Sequence, residues 1–133
     1  MGYNIGEAAK SSGVSAKMIR HYESIGLIEA AARTDSGYRV YTEQDVRVLQ
    51  FIHRGRALGF SLEQIGALLA LWRDKHRASA DVRALAQQHI AELDRKIGEM
   101  ESMKRTLEQL YRSCHGDERS ACPILDDLAS ACH

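Results

Sequence analysis

The sequence predicts a mainly α fold: an N-terminal helix-turn-helix with a hairpin wing, one long helix, then a C-terminal loop and short helix. Three observations predict it. Ile19-Arg20-His21-Tyr22-Glu23 and Gly37-Tyr38-Arg39-Val40-Tyr41 interleave basic and aromatic side chains on either side of Gly26-Leu27-Ile28. Apolar residues recur at heptad spacing from Ala86 to Tyr111. All three cysteines fall in the last 20 residues. A single proline and 6 % aromatics also fit helices better than a β-sandwich.

The first helix spans Asn4 to Ser12, with Ile5, Ala8 and Ala9 on one face. Gly13 stops it in the left-handed conformation. Ser15 is placed as the N-cap of a second helix, Ala16 to Ser24, which Gly26 ends. Two helices joined by a tight glycine-containing turn make a helix-turn-helix. Lys17, Arg20 and His21 take the polar side of the second helix, and Met18, Ile19 and Tyr22 are left for packing. The plainer alternative for that helix is a solvated surface element.

The next segment favours nucleic acid. Leu27-Ile28 reads as a short strand, Thr34-Asp35-Ser36-Gly37 as a turn, and Tyr38 to Tyr41 as a returning strand. A hairpin after a helix-turn-helix is a wing. Arg33 and Arg39 flank its turn, in reach of phosphates, and the Tyr38 hydroxyl can serve the same purpose. Thr42 with Asp45 forms a near capping box opening a third helix, about Glu43 to Leu58, with Val46, Leu49, Phe51 and Ile52 inward. Gly59-Phe60-Ser61 resets the chain, and Ser61 caps a fourth helix through Trp72.

These residues closely resemble the DNA-binding domain of the MerR family of transcription regulators. The resemblance covers residues 3–72, and rests on Ile5-Gly6-Glu7-Ala8-Ala9, Ile19 to Glu23, Gly26-Leu27, Arg33, Gly37 to Tyr41 and Leu58-Gly59-Phe60-Ser61-Leu62-Glu63. His21 departs from the family's usual Tyr or Phe, yet still stacks or donates to a phosphate. The resemblance implies a homodimer on double-stranded promoter DNA, acting with RNA polymerase at that promoter. Carried over by position, it implies Lys17, Arg20, Tyr22, Arg33, Tyr38, Arg39 and Arg56 as DNA contacts.

After a polar link, Arg73 to Ala78, a long helix is predicted from Ser79 to about Leu110. Ala86, Ile90, Leu93, Ile97, Met100, Leu107 and Tyr111 step by alternating fours and threes, with Lys104 at one expected apolar place. A helix of roughly 32 residues spans about 48 Å. That is too long to bury within a chain of 133 residues, so it pairs with a second copy. The spacing does not orient the pair; the resemblance implies an antiparallel coiled coil. The expected organisation is therefore 1–72 for DNA, 73–78 as link, 79–111 for dimerisation, and 112–133 as metal-binding loop and terminal helix.

The tail reads Cys114-His115-Gly116-Asp117, a polar run, then Cys122-Pro123-Ile124-Leu125. Pro123 suits the first turn of a short helix ending near Ser130. Two thiolates are soft ligands that select Cu(I) and its heavier relatives, whereas zinc takes four ligands. By itself the pair also fits two unlinked thiols or a redox couple. The loop resembles that of the family's copper-efflux branch in its spacing, in Gly-Asp after the first cysteine and in Cys-Pro-Ile after the second. Branches that sense divalent ions carry a further cysteine where this chain has Ser79, which marks Ser79 as a selectivity position. The resemblance thus implies one Cu(I) per protomer at Cys114 and Cys122, with Ag(I) or Au(I) as alternatives. The N-terminal end of the helix from Ser79 would stabilise the net negative centre, helped by Arg83.

Other candidates read more plainly. Cys132-His133 is a frayed terminus or an accessory ligand pair. His115 is a surface residue, and Met100 and Met103 are seam packing. His53, His76 and His89 have no ligand-like spacing. No phosphate loop or nucleophile with a base is present, so an enzyme is not expected. Neither is a membrane span, since no stretch approaches 18 apolar residues, nor secretion, since no leader pattern opens the chain; a cytoplasmic location is expected. Cysteines in such a chain favour metal or redox chemistry over a disulfide framework. Formal net charge is zero, but Lys and Arg exceed Asp and Glu by two over residues 1–60 and fall short by two over 61–133. The expected function is metal-responsive activation of transcription by DNA distortion. The alternative is a thiol-redox regulator that switches through a Cys114–Cys122 disulfide.

Overall fold

Asn4 opens the first helix, α1 (Ile5–Ser12), by a reciprocal pair of bonds. Its side chain accepts from the Glu7 N–H at 2.8 Å, and the Glu7 carboxylate accepts from the Asn4 N–H at 3.0 Å. The structure, a computed structural model, describes residues 2–114, 116 and 122–130. His115, Asp117, Cys132 and His133 lie outside the described residues. The chain divides into two units, Met1–Val82 and Arg83–His133.

In the first unit, α1 is followed by α2 (Ala16–Ser24), the two-stranded β1 (Ala32–Arg33) and β2 (Arg39–Val40), α3 (Glu43–Ala57) and α4 (Leu62–Arg73). Side-chain caps set the helix starts. Ser15 accepts from Met18, Thr42 exchanges bonds with Asp45, and Ser61 exchanges bonds with Gln64. Each such cap satisfies donors that a helix start leaves open, contributing about 1 kcal/mol. Gly13 ends α1 at φ 80°, a conformation that L side chains rarely adopt, so the tight turn between α1 and α2 depends on it.

The wing differs from the sequence expectation at one point. Leu27-Ile28 is not a strand. The N–H groups of both residues donate to the Tyr22 carbonyl, at 3.0 and 3.4 Å, so the segment is a wrap around the end of α2. The strand that pairs antiparallel with β2 lies further on, with Ala32 opposite Val40 and Arg33 opposite Arg39. Tyr41 then bridges back to Tyr3 through two backbone bonds of 2.7 and 2.8 Å.

The core is built on α1, α2 and α3, with α4 packed on α3. Ala8, Ile19, Leu49, Ile52 and Ile65 are wholly buried, joined by Tyr41 and Leu69. Burying each large aliphatic side chain contributes about 1.5–3 kcal/mol. Phe51, expected inward, is half-buried at the edge of this core and stacks on Trp72 with ring centroids 4.8 Å apart.

The last link leads to α5 (Ser79–Ser113), a 35-residue helix about 52 Å long. It runs three residues past the expected end at Leu110. The second unit comprises most of this helix together with α6 (Pro123–Ala129). Ile90, Leu93, Ile97, Met100, Leu107 and Tyr111 are all exposed along α5. Arg95 and Glu99, one turn apart, form an exposed ion pair at 2.6 Å. Among the described residues no helix is long and apolar enough to cross a membrane.

Candidate nucleic-acid interface and metal centre

The wing and α2 shape one cationic cleft. Arg20 from α2 and Arg33, Tyr38 and Arg39 from the wing line it, together with Asn4 and Ile5 at the start of α1. Lys17 and Arg20 are exposed on α2, and Tyr38 is 75 % exposed at the wing turn. Arg33 spends one N–H on the Gly37 carbonyl at 2.8 Å, closing the turn while leaving most of its fork open. Arg56 does the same further along, donating to the Phe60 carbonyl at 2.8 Å and pinning the turn between α3 and α4. Tyr22 is placed differently from the other six. It is 5 % exposed and its ring belongs to the core.

Glu23 sits beside these residues, though the sequence marks it only as the last member of Ile19 to Glu23. Its side chain is only 8 % exposed. Tyr41 donates its hydroxyl to Glu23 Oε1 at 2.5 Å, and Arg39 Nε lies 3.4 Å from Glu23 Oε2. Burial, then the bond to Glu23 and its charge, raise the Tyr41 hydroxyl far above the ordinary phenol range. The available signal was the period of the strand: Arg39 and Tyr41, two apart, share a face.

The two loop cysteines come together at the ends of α5 and α6. Cys114 follows α5 directly, its N–H donating to the Leu110 carbonyl at 3.1 Å. Cys122 is the N-cap of α6, with Pro123 in the first turn. Their sulfurs are 4.0 Å apart, and both thiols are free and half-buried. The Cys122 thiol is held below its ordinary range, chiefly by the Leu125 backbone N–H and also by that of Ile124 and by Cys114. Desolvation and the charge of Asp126 oppose that shift. A lowered thiol is richer in thiolate, the form that ligates metals.

This donor set fits a two-coordinate soft ion. The sulfurs, 4.0 Å apart, are within about 0.6 Å of the span of two collinear bonds at the zinc–thiolate length of about 2.3 Å. Among the described residues no group of three or more His, Cys, Asp or Glu side chains is placed to hold a metal. Ser79 is the first residue of α5 and is exposed.

Comparison with known proteins places the chain. The family profile described as "MerR HTH family regulatory protein" matches residues 3–71, and that described as "MerR, DNA binding" matches residues 46–110. The chain is 60 % identical over 127 residues to "Heavy metal-dependent transcription regulator 2" of Rhizobium meliloti (strain 1021), covering 96 % of this chain and 86 % of that protein. It is 41 % identical over 130 residues to the HTH-type transcriptional regulator CueR of Salmonella typhimurium, covering 98 % and 94 %. Among solved structures, the transcription regulator PbrR691 of Ralstonia metallidurans CH34 in complex with lead(II) superimposes with a TM-score of 0.81 at 35 % identity, over 96 % of this chain and 99 % of that one. With its winged helix-turn-helix, its long helix and these relatives, the chain belongs to the MerR family of transcription regulators, close to the members named CueR and HmrR, and is not an enzyme.

Proposed function

We propose that this regulator binds promoter DNA as a homodimer and activates transcription when Cys114 and Cys122 take up one Cu(I) per protomer, with Ag(I) and Au(I) as alternative inducers. The observation that carries the reading is the 4.0 Å separation of two free sulfurs at the junction of α5 and α6. Two soft donors suit a monovalent d¹⁰ ion and underserve zinc, which takes four ligands. Cys114 and Cys122 would hold such an ion through their thiolates, and the two bonds would tie the sulfurs to one another. Ser79, in place of a third thiolate, keeps the set at two.

The exposed apolar stripe of α5 supports self-association through an antiparallel pair of these helices. Lys17 and Arg20 are assigned to the groove, and Arg33, Tyr38, Arg39 and Arg56 to phosphates. Tyr22, with its ring in the core, shapes the helix that presents them. Activation by distortion requires DNA deformation, which costs about 1–6 kcal/mol for bends of about 40–90° over 20–30 base pairs. Cys114 and Cys122 convert metal uptake into that work only if the two protein conformations differ in metal affinity. Closing the loop repositions α6, whose Ile124, Leu125 and Leu128 then dock within the dimer and alter the spacing of the recognition helices.

Metal stoichiometry tests the assignment. Anaerobic titration should give one Cu(I) per protomer, with uptake lost in either Cys114→Ser or Cys122→Ser. Thiols that oxidise to a Cys114–Cys122 disulfide with no metal uptake would replace this reading with thiol-redox regulation on the same DNA-binding scaffold.

A further inference from the structure

We propose that Glu23 is a positioning residue for DNA binding: it clamps Arg39 of the wing against α2 and so presents the remaining guanidinium N–H groups to a backbone phosphate. The inference rests on the DNA-binding reading above and deepens it.

An acidic side chain at a DNA surface is at first sight a liability, since it repels phosphate. Glu23 is also largely withdrawn from water, which is costly for a carboxylate unless it is paired. Both partners the structure gives it come from the wing's returning strand: the Tyr41 hydroxyl at 2.5 Å and Arg39 Nε at 3.4 Å. Tyr41 is in turn fixed by its backbone bridge to Tyr3. The hairpin itself is slight, with two residues in each strand, and a two-stranded ribbon of that size is marginal alone. The wing therefore takes its orientation from its attachments, and the Glu23 pair is the attachment that reaches the reading helix.

Arg39 faces Glu23 through Nε, while its terminal nitrogens remain to serve a second partner. Its side chain keeps 28 % exposure and borders the cleft shared with Arg20, Arg33 and Tyr38. A guanidinium held from behind by a carboxylate loses little freedom on meeting a phosphate, the advantage of preorganisation.

Two opposed expectations make this testable. If the Glu23 charge is a bystander, its removal strengthens DNA binding, because less negative charge faces the phosphates. If Glu23 positions Arg39, removal weakens binding, and only while Arg39 is present. The full-length chain is used throughout, on a duplex that the wild-type protein enriches from a random-sequence pool. Glu23→Gln should lower affinity about tenfold, a coupling of the size seen between contacting side chains, and should add nothing in an Arg39→Ala background. Arg39→Lys keeps the charge but not the fork, and should lose nearly as much; it carries the test should Glu23→Gln fail to fold. Affinity that is unchanged or tighter in Glu23→Gln, or an undiminished loss in the Arg39→Ala background, overturns the proposal, as does wild-type affinity in Arg39→Lys. Arg20→Ala on the same duplex separates the levels. No enriched duplex, or no loss with Arg20→Ala, contradicts the DNA-binding reading itself. A loss with Arg20→Ala but additive effects of Glu23 and Arg39 contradicts only the clamp.

Discussion

Cys114 is tied to Leu110 by the last backbone bond of the long helix, N to O at 3.1 Å. One sulfur of the pair therefore rides on the end of a rigid rod, and the other on the first residue of a short, exposed helix. A change in the distance between the sulfurs shifts α6, which follows Cys122 directly and carries the exposed Leu125 and Leu128, relative to the end of α5.

From this arrangement, Cys114→Ser or Cys122→Ser should abolish metal-dependent activation while thermal unfolding and operator binding stay near wild type. Both cysteines belong to the second unit and neither is a member of the buried core cluster, so neither change opens a cavity in that cluster. Cys132→Ser should leave induction intact. Reporter transcription and melting curves on the same variants check all three. A Cys132 variant as inactive as the other two would refute a two-thiolate centre.

Ser79→Cys should add a thiolate and widen the response toward Zn(II) or Hg(II), because a third donor suits ions that take more than two ligands. Metal-dependent transcription measured across the series of ions reads the effect. A variant still blind to both divalent ions would assign selectivity to the shape of the loop.

For DNA, Arg20→Ala should lose part of its affinity in a sequence-dependent manner, by about 1–3 kcal/mol if the guanidinium makes a bidentate base contact. Arg33→Ala, by contrast, should weaken binding evenly on operator and random duplex and flatten the salt dependence by about one unit of slope. Binding isotherms at several salt concentrations distinguish the two. Wild-type operator affinity in both variants would be incompatible with this docking face.

Ile97→Asp tests the exposed stripe of α5. Ile97 is 53 % exposed in the single chain, so a charge there is tolerated by a monomer and opposed by a helix–helix seam. The variant should keep its helix content and sediment as a monomer, with operator affinity falling as the second half-site is lost. A dimer that persists with wild-type stability would move the interface elsewhere.

Much of the molecule was legible in the sequence because its signals are local. Ser15, Thr42 and Ser61 announce helix starts through bonds to residues three positions on, and Gly13 announces a stop. The long helix was legible from its spacing, and the cysteines from their clustering. What escaped depends on contacts between distant segments. Leu27-Ile28 alternates like nothing in particular over two residues, and its bonds to the Tyr22 carbonyl win over pairing. Glu23 gained its partners only when the chain folded back 16 and 18 residues later, at Arg39 and Tyr41.

The most direct test of the central claim is one anaerobic Cu(I) titration in which operator occupancy, distortion of the promoter DNA and promoter-driven transcription are followed together. The expected result is occupancy that barely changes, with distortion and transcription rising in step to saturation at one ion per protomer. Release of the protein from the operator as Cu(I) is added, with transcription rising only through that release, would contradict it.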